Sequence, residues 1–229
     1  MIYVTGDTHG QIDFAKLNHF AKSNPSLGKD DYVIIAGDFG AVWNEKTLNR
    51  DLKPYERLPF SVLFVDGNHE NFDLLNSFPV ETWHGGKIHR IRPNIIHLKR
   101  GQIFNIEGNI IFVFGGATSI DRAIRVEFIS WWKEELPSAA EMEEAYENLK
   151  QTRFKVDYII THSCDERALY YPPLRSGGNI MHSFPENRML SYFEENVKYK
   201  KWYFGHYHLD GELSDRKRVL YNDIVKLGD

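Results

Sequence analysis

Five short segments place Asp, Asn and His beside Gly, where a hydrophobic core has no use for them. They are Asp7-Thr8-His9, Gly37-Asp38, Gly67-Asn68-His69-Glu70, Thr161-His162 and Gly205-His206-Tyr207-His208. Carboxylate, amide carbonyl and imidazole together form a ligand set for borderline divalent cations such as Mn, Fe or Zn; softer ions would draw on Cys. Each piece alone has an ordinary explanation. Asp-x-His makes a turn, Gly-Asp caps a helix, and a single His after a strand bonds to backbone. Gly-His-x-His says more, because residues two apart on a strand share a face. Repeated at five strand ends, the pattern points to a metal centre.

The elements that must position these residues are legible. "IYVT" (2–5), "YVIIA" (32–36) and "SVLFV" (61–65) are continuous β-forming runs, each closed by Gly and an acidic residue. Between them lie "QIDFAKLNHFAKS", with apolar side chains from Ile12 to Ala21 at helical spacing, and the weaker, Pro-interrupted "EKTLNRDLKPYERL". Strand and helix in alternation predict parallel pairing with strands buried on both faces. In such a sheet the ligand crevice lies beyond the carboxyl ends of the strands, so the polar groups should converge on one rim.

"NIIHLKRGQIFNIEGNIIFVFGG" changes character and reads as an antiparallel section, with tight turns at Lys99–Gln102 and Glu107–Asn109. Ser138 caps a helix through Lys150, with Glu141 three residues on. Then follow "VDYIITH", the Pro/Gly-rich loop "YYPPLRSGG", a helix near "ENRMLSYFEEN", "KWYFGHYH", and a hairpin in "GELSDRKRVLYND". No repeat or linker divides the chain, which predicts one domain over 1–229.

The 229 residues are 42% hydrophobic and 26% charged, enough for a dense core. A net charge of −4 argues against a general nucleic-acid binder. One cysteine, Cys164, excludes an internal disulfide framework and fits a reducing cytoplasm. The N-terminus lacks a basic stretch followed by an apolar one, and runs such as Ile110–Phe114 are far too short to span a bilayer. A cytoplasmic protein without membrane contact is the expectation.

In type and order the five motifs resemble those of the calcineurin-like metallophosphoesterases, over nearly the whole chain. The resemblance implies an α/β fold, a four-layer α/β/β/α sandwich of two mixed sheets flanked by helices. It also implies two divalent metal ions, with Mn foremost and Fe, Zn or Ni as alternatives. Carried over by position, one ion would be held by Asp7, His9, Asp38 and His208. The other would be held by Asp38, Asn68, His162 and His206, with Asp38 bridging. His69 would meet the leaving group as the catalytic acid. Paired ions clamp an in-line displacement and activate a shared water, while a neighbouring His protonates the departing alkoxide.

The chain departs from the phosphoprotein-phosphatase branch after Asp38. Ala41 and Val42 stand where that branch has an Asp and a phosphate-binding Arg, and no Arg follows Glu70 in "NFDLLNSF". A dianionic monoester benefits from bidentate Arg clamps; without them a phosphodiester or small phosphorylated molecule is favoured. A phosphomonoesterase acting on phosphoprotein or nucleotide is the alternative, and a non-catalytic scaffold is less supported because no motif residue is missing. Arg122, Arg125 and Arg175 are candidates to bind substrate from loops. Trp131 and Trp132 suit the core or a helix end better than a base-stacking role. The clusters Arg50/Lys53 and Arg216–Arg218 are too small for a nuclease groove.

Overall fold

In the computed structural model, which describes residues 1–175 and 182–229, two mixed sheets pack face to face. The first contains β1 (Ile2–Thr5), β2 (Tyr32–Ala36), β3 (Ser61–Val65), β4 (Val80–Trp83), β5 (Gly86–Arg92) and β6 (Ile95–Leu98). The second contains β7 (Ile103–Ile106), β8 (Asn109–Phe114), β9 (Tyr158–Thr161), β10 (Lys201–Phe204), β11 (Gly211–Ser214) and β12 (Lys217–Val219). A last strand, β13 (Ile224–Lys226), returns to the first sheet, giving the orders β13-β1-β2-β3-β6-β5-β4 and β11-β12-β10-β9-β8-β7.

Period-two alternation makes the layers. Ile34, Ala36, Leu63 and Val65 face inward, against Ile111, Val113, Ile160 and Tyr203 of the second sheet. The opposite faces of β2 and β3, with Val33, Ile35, Val62 and Phe64, pack on Leu17, Leu52 and Leu75. Those three belong to α1 (Ala15–Ser23), α2 (Leu48–Glu56) and α3 (Phe72–Asn76). On the far side Phe112, Phe114, Trp202 and Phe204 pack on Ala145, Leu149 and Phe193 from α4 (Ala139–Gln151) and α5 (Pro185–Asn196). The four-layer α/β/β/α sandwich is thus the fold, because strands buried on both faces need a second sheet on one side and helices on the other.

β1, β2 and β3 run parallel, as their alternation with helices predicts, and so do β8, β9 and β10. α4 carries the expected capping box between Ser138 and Glu141. Two details differ from the sequence reading. Only β7 and β8 of the middle section form a hairpin; β6 pairs with β3 and β5, so Lys99–Gln102 carries the chain from one sheet to the other. A crossover and a hairpin turn use the same polar residues, and only sheet packing separates them. Ile12 is 81% exposed, outside the apolar face to which its spacing assigned it. α1 starts three residues later because the Asp13 amide donates back to the Thr8 carbonyl, turning the chain before the helix begins. Of the loop "YYPPLRSGG", residues 176–178 lie outside the described residues.

Candidate dinuclear metal centre

β1, β2 and β3 end on the same rim, and β9 and β10 of the second sheet end opposite them. The five polar segments therefore face one another across the gap between the sheets. Asp7, Asp38, Asn68 and His162 are buried there. Two glycines permit this closeness. A Cβ on Gly37 would sit 2.0 Å from His162 Nδ1, and one on Gly67 would sit 2.0 Å from Asp38 Oδ1. His9, Asp38, His206 and His208 all adopt left-handed backbone, with φ of 42°, 47°, 70° and 51°. Non-glycine residues pay about 1–2 kcal/mol each for that conformation, and such strain concentrates at functional sites.

Three groups of side chains bring their ligand atoms within 4.8 Å of one another: Asp7, His9 and His208; His9, Asp38 and His69; and Asp7, Asp38 and His162. Asp38 is common to the second and third. Its Oδ2 lies 3.3 Å from His9 Nε2 and its Oδ1 3.3 Å from His162 Nε2. Asn68 Oδ1 is 3.1 Å from the same His162 nitrogen. His206 packs edge-on against the His162 ring at 4.9 Å, and its backbone N–H donates to Asp7 Oδ1 at 3.0 Å. His69 donates its backbone N–H to Asp38 Oδ1 at 2.7 Å, which sets its ring beside the group.

The donor set fits divalent cations. Asp7 Oδ2 is buried without a hydrogen-bond partner, 3.2 Å from His208 Nε2. An orphaned carboxylate oxygen aimed at imidazoles needs positive charge. The protonation behaviour says the same. Burial opposes charge on His9 and His162, but the Asp38 carboxylate outweighs it and pushes them up to about 9 and about 10. Burial likewise works against ionising Asp7 and Asp38, yet the imidazoles hold both below their ordinary value, His208 foremost for Asp7 and His162 for Asp38. Burial and then His162 draw His206 down to about 3. Two buried carboxylates thus demand cations among the imidazoles, and two metal ions would answer that demand with His Nε2 atoms as donors.

Several supporting groups brace the centre, and all but Glu70, which closes the third motif, escaped the sequence reading. Glu70 is fully buried and accepts the Phe39 N–H at 2.8 Å, which clasps the loop after β2 to the loop after β3. Asp13 holds His9 Nδ1 at 2.7 Å, a partner four residues past the motif that helical spacing had absorbed into α1. Ser119 Oγ accepts from Asn68 Nδ2 at 3.1 Å, and Glu135 accepts the Ser119 N–H. No sequence signal links residues so far apart.

A cleft of about 590 Å³ opens over the centre, lined by Asp38, Asn68, His69, His206 and His208 and walled by Ile120, Arg125, Phe184 and Tyr207. Arg125 is the only Lys or Arg among its described lining residues. Its Nη2 lies 3.4 Å from His69 Nε2, while Nε and Nη2 bind Asp121 at 2.6 and 2.8 Å. Arg122 stacks on the Trp131 ring at 3.9 Å, exposed and outside the cleft lining. Arg175 is exposed on its loop, its N–H donating to the Tyr171 carbonyl. Trp132 is buried, with Nε1 donating to Asp73. Ala41 and Val42 are core residues. His182, which carries no motif, also lines the cleft, and Cys164 is buried, its thiol pushed far up by that burial.

The sequence profile of the calcineurin-like phosphoesterases matches residues 1–210. The chain belongs to that family. A lariat debranching enzyme of Danio rerio is 24% identical over 191 residues, covering 74% of this chain and 32% of that protein, so the chain spans about a third of that relative. Among solved structures, the TT1561 protein of Thermus thermophilus superposes with a TM-score of 0.52 at 13% identity, over 96% of this chain and 87% of the other. A proposed 5'-nucleotidase of Staphylococcus aureus, crystallised with alpha-ketoglutarate, gives 0.50 at 17% identity, over 96% and 48%. These structural likenesses speak for the fold alone. In keeping with that family, the chain groups carboxylate and imidazole side chains suited to metal ions. No helix among the described residues is long and apolar enough to cross a membrane.

Proposed function

We propose that this phosphoesterase hydrolyses phosphodiesters or other esters of low phosphoryl charge, with His69 as the acid that meets the leaving group. Asp7, His9, Asp38 and His208 would hold one divalent ion, and Asp38, Asn68, His162 and His206 the other. Mn²⁺ fits this thiol-free set, with Fe, Zn and Ni as alternatives. Bound there, the two ions would neutralise phosphoryl oxygens and activate the attacking water. Asp38 would bridge them, as its two oxygens already face different imidazoles.

The observation that carries the substrate reading is the state of Arg125. It is the one guanidinium among the described cleft-lining residues, and Asp121 occupies its Nε/Nη2 edge as a bidentate fork. A dianionic monoester would rely on free Arg forks; a singly charged diester loses less without them. Arg125 then serves chiefly to orient His69, while Arg122 and Arg175 stand outside the cleft lining. A lariat, the kind of substrate named for the Danio rerio relative, would need a basic track that a chain of net charge −4 offers poorly. The single buried thiol suits a reducing cytoplasm.

What supports His69 in the role of acid is its position, lining the cleft with its backbone N–H held by Asp38. Burial lowers its ring from the ordinary imidazole value, Asp38 works against that, and Arg125 adds to it, so the ring would take up its proton only with anionic substrate beside it. The test is His69→Ala loaded with Mn²⁺ and assayed on bis-p-nitrophenyl phosphate. Metal content should match the wild type while kcat falls by about 10²–10⁴-fold. Full turnover in the metal-loaded variant would overturn the role.

A further inference from the structure

The two halves of the centre are braced by different means. Around Asp38, Asn68 and His162 the support comes from the buried framework. His162 Nδ1 bonds the Ala36 carbonyl at 2.9 Å, and Asn68 bonds Ser119. The half formed by Asp7, His9 and His208 opens to solvent on its histidine side: the His208 side chain is 50% exposed and that of His9 15%, while Asp7 is buried. Left alone, an exposed imidazole samples several rotamers, and each costs order when an ion binds.

An outer ring of side chains removes that freedom. Asp13 Oδ2 bonds His9 Nδ1 at 2.7 Å, which turns Nε2 toward the centre. The other Asp13 oxygen accepts the Tyr221 hydroxyl at 3.0 Å. The Tyr221 ring lies flat on His208, with centroids 4.6 Å apart and planes 12° from parallel. Lys16 Nζ closes the circuit by donating to the carbonyls of Asp7, at 2.6 Å, and of Tyr221. Asp7, His9 and His208 are therefore linked through residues that contribute no ligand atom. Tyr221 comes from the segment between β12 and β13, beyond every motif of the centre.

We infer that Asp13 and Tyr221 are positioning residues for the solvent-side metal, and that this metal is the weaker and more exchangeable of the two, its occupancy set by their ring. The inference rests on the dinuclear reading above. Partners behind a metal-ligating His typically govern 10–100-fold in metal affinity. Here one carboxylate and one aromatic face do so for two imidazoles together.

The test is Mn²⁺ titration of the metal-stripped full chain by calorimetry, with EPR to separate coupled pairs from single ions. Wild type should take up two Mn²⁺ with unequal affinity. Asp13→Ala and Tyr221→Ala should weaken the second ion by about 10–100-fold, leave the first unchanged, and replace the coupled EPR signal by that of a lone Mn²⁺. Tyr221→Phe keeps the ring on His208 and should recover part of the loss, which a general folding defect would not. The inference is overturned if well-folded variants bind both ions as wild type does, or if both ions weaken equally. Wild type that takes up only one Mn²⁺ would remove the dinuclear reading beneath it; two ions in wild type with indifferent variants would remove this inference alone.

Discussion

Arg100→Met should cost this protein a large share of its stability, through a mechanism the structure specifies. Arg100 Nε donates to Asp66 Oδ2 at 2.6 Å, with both side chains almost wholly buried. Nη2 donates to the Glu134 carbonyl at 2.8 Å, and the Asp66 carbonyl accepts the Gly116 N–H. The pair thus ties the end of β3 to the sheet crossover and to the loop beyond β8. Burial alone would raise the Asp66 carboxyl, but Arg100, followed by His97, holds it well below the usual carboxylate range. Methionine fills the volume and leaves that carboxylate with the His97 imidazole as its nearest remaining side-chain partner, 3.1 Å away. Stranding one member of a buried pair costs about 3–5 kcal/mol, and at about 2–4 °C per kcal/mol for a chain of this size Tm should fall by roughly 10 °C. Asp66→Asn combined with Arg100→Met should be less damaging than the sum of the single changes by about 1–3 kcal/mol. Urea unfolding of wild type, both single variants and the double variant measures this directly. A loss below about 1 kcal/mol for Arg100→Met, or strict additivity, would refute the reasoning.

Two further outcomes follow from particular positions. Gly67→Ala places a Cβ against Asp38 Oδ1 and the Asp38 backbone nitrogen, so the variant should fold yet bind less Mn²⁺, read as metal content after dialysis. Glu135 is pushed up to about 7 from 4.5 by burial. Its folded-state value is raised, so its contribution is fully present below about pH 4.5 and is lost as pH rises through 7. Glu135→Gln should therefore gain a few °C of Tm over wild type at about pH 8 and gain nothing at about pH 4; an equal difference at both would contradict the sign.

The residues that end each strand were legible because their chemistry is improbable in a core, and because Gly beside them marks a close approach. The three-strand framework was legible for a related reason: strands buried on both faces leave uninterrupted apolar runs. The paths between sheets were not. Lys99–Gln102 has the composition of a hairpin turn, yet the strands on either side belong to different sheets. Asp13, Glu135 and Tyr221 escaped because each acts on a partner fixed by tertiary packing, and Asp13 also fits a helical period that α1 does not extend to. The same holds for Arg125. Its sequence context suggested an anion contact, but only the structure shows Asp121 already occupying it.

The measurement that bears most directly on the central claim is metal content joined to turnover. Protein stripped with EDTA and reloaded with Mn²⁺ would be analysed for bound metal and assayed on bis-p-nitrophenyl and p-nitrophenyl phosphate side by side. The expected result is two ions per chain, activity that vanishes with chelation, and a higher kcat/KM for the diester. Metal-independent turnover would contradict the centre itself, and a clear preference for the monoester would contradict the substrate reading built on Arg125.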